Sequence, residues 1–101
     1  MKQTGIIKAV GAERSGVSKR TGETWFMTPV VMEWTEENQN LTQSTYSMVI
    51  DVKGRLDMEK VKACMRSKSP VAFSAFPEAN EFNGRWFNNL RGYLAADLML
   101  K

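Results

Sequence analysis

Residues 70–94 read PVAFSAFPEANEFNGRWFNNLRGYL, and the dipeptide Asn83-Gly84 within them decides how the stretch folds. Both residues tolerate positive φ, which a two-residue type I′ turn requires, so the spacing predicts a β-hairpin closing there. Counting outward from the turn sets Phe82 against Arg85, Asn80 against Phe87, Phe76 against Arg91 and Ser74 against Tyr93. Side chains alternate along a strand, so the intervening positions face the other way. These are Val71, Phe73, Ala75, Pro77 and Ala79 against Leu90, Gly92, Leu94 and Ala96. One face is nearly all apolar and reads as a core surface. The other carries Phe76, Phe82, Phe87 and Tyr93 interleaved with Arg85 and Arg91, a platform suited to something flat and negatively charged.

Working back from the hairpin, Pro70 must end whatever helix precedes it. Met58, Val61, Cys64 and Met65 form one apolar helical stripe, with Asp57 placed as N-cap and Leu56 and Val61 placed as a hydrophobic staple. Before the helix, Ser44–Val52 alternates, with Tyr46, Met48, Ile50 and Val52 directed inward. Thr35–Gln43 is a polar, acidic loop. Thr24–Trp34 is a strand whose Pro29 requires an edge or a bulge. Its Trp25, Met27 and Val31 share one side while Phe26, Val30, Met32 and Trp34 share the other, and which side meets the core stays open. Thr4–Val10 is the first strand, and Ala12–Glu23 is a long loop or hairpin connection with Lys19-Arg20 near its tip. The tail Ala95–Lys101 either continues the last strand or packs on a second subunit.

The order is β-β-β-α-β-β in 101 residues, one mainly β domain spanning 1–101. That is the connectivity of a five-stranded OB-fold barrel with one short helix between strands 3 and 4. In such a barrel the 1–2 and 4–5 loops flank one cleft, which brings Lys19 and Arg20 toward the Asn83-Gly84 hairpin. Trp86 lies on the apolar side beside the turn and reads as a cap over the barrel end.

Composition narrows the function classes. The net charge of +3 and pI near 9.2 allow a polyanionic partner without demanding one. The sequence contains no histidine, which removes the usual general base and the commonest metal ligand. No carboxylates form a recognisable spaced pair, and no glycine loop with Gly-Lys-Ser/Thr is present. An enzyme is therefore not expected, nor any cofactor or metal. The single Cys64 fits a reducing compartment, and no stretch reads as a signal peptide or membrane span, so a cytoplasmic protein is expected.

The run Glu81-Phe82-Asn83-Gly84-Arg85-Trp86-Phe87, followed by Arg91-Gly92-Tyr93, resembles the hairpin motif of a family of small bacterial OB-fold proteins. This is the single-stranded-DNA-binding-like group, similar to single-strand binding protein and primosomal replication protein N. Ser15-Gly16-Val17-Ser18 with Gly22 and Trp25 also looks like that family's first loop and second strand. Phe26 and Met27 depart from it, standing where basic residues are usual. The long linker and acidic tip of true single-strand binding proteins have no counterpart here, so recruitment of replication partners through such a tail is not expected.

Two functional expectations follow. The first is sequence-tolerant binding of single-stranded DNA, with RNA left open, in replication, repair or recombination. Its contacts would be Lys19, Arg20, Trp25, Phe76, Phe82, Arg85, Phe87, Arg91 and Tyr93, rings stacking on bases and cations meeting phosphates. The second is a homo-oligomeric interaction module, a homodimer or larger, without nucleic acid. Aromatic and arginine enrichment marks subunit interfaces too, and Trp34 with Leu98–Leu100 offers a second candidate surface.

Overall fold

The computed structural model describes residues 1–100, and of Asn80, Phe82 and Phe87 the backbone alone. Its elements are β1 (Lys2–Val10), β2 (Arg14–Val17), β3 (Thr24–Glu37), β4 (Gln43–Lys53), α1 (Met58–Ser67), β5 (Val71–Phe82) and β6 (Arg85–Leu94), then a single 3-10 turn at Ala96–Leu98. The chain is mainly β with one helix, as expected, but it has six strands rather than five. The additional strand is β2, within the segment expected to be loop or hairpin. It takes over the β3 edge where β1 leaves it: β1 ends on Val10↔Val30, and β2 resumes with Arg14↔Met27.

The strands form one mixed sheet whose hydrogen-bonded pairings run in a ring. β1 pairs with β3 and β5, β5 with β6, and β4 with β3. A parallel contact between β4 and β6 closes the circuit through only Asp51↔Arg91 and Val52↔Gly92. Pro29 lies one residue past the last β1–β3 pair, so its missing N–H removes nothing from that ladder. The β1–β3 register also shifts between Ile7 and Ala9, a bulge close by.

One buried core joins Ile7, Val30, Met32, Ile50, Val52, Val71, Phe73, Ala75 and Leu94 of the strands to Leu56, to Val61 of the helix and to Leu98 of the 3-10 turn. The inward parity of β4 holds for Ile50 and Val52, while Tyr46, beyond the core, is exposed. On β3 the side carrying Val30 and Met32 is the core side. The helix begins as its cap predicts: the Asp57 side chain accepts from the Lys60 backbone N–H at 3.3 Å, and Leu56 and Val61 are both buried. It ends at Lys68 in a left-handed conformation, φ 53°, two residues before Pro70.

The tail does not extend β6, which ends at Leu94. Its 3-10 turn returns Leu98 to the chain's own core, and the Leu98 carbonyl accepts from Asp57 N–H at 2.8 Å. Leu98 is thereby withdrawn from the candidate subunit surface. Lys101, the end of that tail, is outside the described residues.

The hairpin register is the one counted from the turn. Asn83 and Gly84 take φ of 51° and 75°, and Phe82↔Arg85, Asn80↔Phe87, Phe76↔Arg91 and Ser74↔Tyr93 are all paired. The apolar face, however, is a core surface only in its lower half. β1 covers β5 from Val71 to Ser74, and β4 touches β6 only at Arg91 and Gly92. From Pro77↔Leu90 to Phe82↔Arg85 the two strands pair, among the described residues, only with each other, and they leave the ring as a two-stranded ribbon. Pro77 and Ala79 are consequently exposed. Trp86 is 69% exposed rather than a cap over the barrel end, because among the described residues no other strand pairs with that part of the hairpin. The projecting ribbon also accounts for the long axis of 50 Å and a radius of gyration of 15.4 Å, above the roughly 13 Å usual at this length. Among the described residues no helix is long and apolar enough to cross a membrane.

Candidate functional site

β2 and β3 form a short hairpin whose turn is built by its own polar groups. Ser18 N–H donates to the Glu23 carbonyl at 2.8 Å, and Ser18 Oγ accepts from the backbone N–H groups of Arg20 and Thr21 at 3.3 and 3.4 Å. Lys19 and Arg20 stand exposed at its tip. Across the strands Gly16 faces Trp25. A Cβ at Gly16 would come within 2.5 Å of Trp25 Cζ2, so the indole lies against a backbone that only glycine leaves bare.

This hairpin and the root of the β5–β6 ribbon overhang a common cleft of about 930 Å³. Met27, Asp51 and Lys53 on β3 and β4 line it between them. Four rings line it as well: Phe26, half-buried, and Trp25, Phe76 and Tyr93, which remain 39%, 41% and 52% exposed. Phe76 and Tyr93 neighbour each other with ring centroids 5.9 Å apart and planes inclined by 32°. Exposed apolar rings gathered in one concavity and rimmed by polar residues are the kind of surface that marks an interaction site or ligand groove.

The cleft is electrically balanced. Arg14, Lys53 and Arg91 line it, and so do Glu23, Asp51 and Glu78. Arg14 Nη2 donates to Asp51 Oδ1 at 3.1 Å, and Arg91 Nε donates to Glu78 Oε2 at 2.8 Å. Arg91 Nη1 also contacts Met27 Sδ at 2.7 Å. Lys53 is in no ion pair among the described residues. Arg91 is thus a tethered cation.

Of the residues singled out from the sequence, the cleft collects Trp25, Phe76, Arg91 and Tyr93. Lys19 and Arg20 flank it through their neighbours Ser18 and Thr21, which line it. Arg85 is exposed at the far tip of the ribbon, away from the others. The side chains of Phe82 and Phe87 lie outside the described residues. Sequence reading missed Arg14, Met27 and Lys53. Met27 was within reach, since it shares a strand side with Trp25. Arg14 was hidden in a segment with no strand signal. Among the described residues no group of three or more Cys, Asp or Glu is placed to hold a metal ion.

Comparison of the chain with protein-family models, with curated proteins and with solved structures finds no match.

Proposed function

We propose that the chain is a cytoplasmic OB-fold barrel of the single-stranded-DNA-binding-like group that binds single-stranded DNA with little sequence preference, in replication, repair or recombination. The observation that carries this reading is the exposure of Trp25, Phe76 and Tyr93 in one cleft. Every base has a π face, so stacking tolerates any sequence, and each stacked base contributes about 1–3 kcal/mol. The barrel assignment is supported by the pairing order around the ring, with the helix between its third and fourth members and a parallel contact between its third and fifth.

Phosphate contacts fall to cations that form no ion pair among the described residues: Lys19 and Arg20 at one rim, Lys53 within, and Arg85 on the ribbon. If all four meet phosphates, log affinity for labelled oligo-dT falls with log salt at a slope of about −3. Absence of binding at low ionic strength, or binding indifferent to salt, rejects the proposal. An oligo-rU competitor separates DNA from RNA preference, and a duplex competitor tests the requirement for unstacked bases.

The two tethered arginines make a second prediction. A carboxylate on a guanidinium occupies the place a phosphate oxygen would take. Glu78→Gln releases Arg91 for one more phosphate contact, so oligo-dT binding tightens and the salt slope steepens by about 0.7. A titration in which affinity and slope both stay at the native values removes Arg91 from the phosphate path.

A further inference from the structure

The open edges of the sheet differ sharply in chemistry. β2 carries Arg14. β3 beyond Glu33 carries Glu36 and Glu37. β5 along the ribbon carries Pro77, Glu78 and Glu81, and β6 carries Arg85. Charges and prolines are what natural edge strands use to prevent another strand from adding.

β4 has no such protection. From Gln43 to Val49 it pairs with β3 on one side. On the other side, among the described residues, it has no strand, because β6 reaches it only at Asp51 and Val52. From Asn38 to Ile50 the sequence NQNLTQSTYSMVI contains no charge, proline or glycine. Thr45, Tyr46, Ser47 and Val49 on this edge are exposed. It is a strand template left open to water.

We infer that β4 pairs antiparallel with β4 of a second copy of this chain, joining the two sheets edge to edge across a two-fold axis. In a two-fold contact residue i meets residue j and j meets i, so an edge whose charges are all of one sign brings like charges together. An uncharged run is compatible with itself; the charged edges of β2, β3, β5 and β6 are not. Direction follows from the ends. Each β4 runs from beside Glu36 and Glu37, its partners on β3 being opposite Ser44 and Gln43, to Lys53. Antiparallel addition turns the Lys53 end of one copy toward the Glu36-Glu37 end of the other, whereas parallel addition would set like ends together. Tyr46, stacked on Trp34 at 5.7 Å, comes near the axis with its counterpart. Residues 43–50 do not line the cleft, so the dimer keeps two open clefts, and the inference does not rest on nucleic-acid binding.

Light scattering across a dilution series should show the native chain as a species of twice 11.5 kDa. Thr45→Lys places two cations across the axis and should raise the dissociation constant at least about a hundredfold. Thr45→Glu should do the same, and mixing the Thr45→Lys and Thr45→Glu chains should restore the dimer. Circular dichroism melts establish that each variant is folded. A native chain that stays monomeric at every concentration overturns the inference. So does a dimer that Thr45→Lys leaves intact, or a mixture of folded variants that remains monomeric.

Discussion

Phe73→Ala is expected to cost about 3–5 kcal/mol of folding stability, a large share of the roughly 5–15 kcal/mol that a domain possesses. Phe73 is buried at the point where β5 is held on both sides, by Gln3 of β1 and Leu94 of β6. Its ring centroid is 5.8 Å from that of Trp34, and a Cβ on Gly5 would stand 3.2 Å from its Cε1. The neighbours therefore belong to ladders that cannot close on the hole left behind, which is the condition under which truncation is most costly. Urea unfolding should show a lowered midpoint with an unchanged slope. The informative comparison is Phe76→Ala, three residues along the same strand and on the opposite face. Phe76 touches the cleft and not the core, so its loss should cost far less. Equal destabilisation by the two would mean that the alternation of β5 is not as described.

That pair of variants also marks what can be read from residues and what cannot. Asn83-Gly84 determines a turn by local stereochemistry, and the turn determines every facing pair in the hairpin by counting. Both were legible. So were the Asp57 cap and the Leu56–Val61 staple, which depend on neighbours three to five residues away. Counting does not reveal how many of those pairs have a third strand beside them. That depends on where β1 and β4 happen to stop, and so Pro77 and Ala79 read as core and Trp86 as a cap over the barrel end, although all three belong to a ribbon in water. β2 was hidden for a related reason. Arg-Ser-Gly-Val has no apolar alternation, and its strand conformation comes from pairing with Thr24–Met27. The Leu98 turn is too short for any periodicity. At the site, rings could be assigned to one face, but balance of charge could not: Glu78 is opposite Asn89 and reaches Arg91 only diagonally.

Trp25→Ala is expected to weaken oligo-dT binding about ten- to a hundredfold, the loss of one stacked base at roughly 1–3 kcal/mol. Of the three exposed rings in the cleft the indole has the largest π face. Its position is also the most prepared, since one side lies against Gly16 and cannot be occupied by ligand or by another side chain. Gly16→Val should therefore reproduce much of the defect without touching Trp25 itself, by displacing the indole with a side chain it cannot accommodate. Neither substitution reaches the buried cluster, so the unfolding midpoint should move little and the defect can be assigned to binding. Trp86→Ala is the matched control. Trp86 is the more exposed of the two, yet it pairs with Glu81 on the face of the ribbon opposite Phe76 and Tyr93, and its removal should leave affinity unchanged. Exposure alone would rank Trp86 first; the cleft ranks Trp25 first. Fluorescence anisotropy with the three variants decides between them. Native affinity in Trp25→Ala, or an equal loss in Trp86→Ala, would take the binding surface away from the cleft.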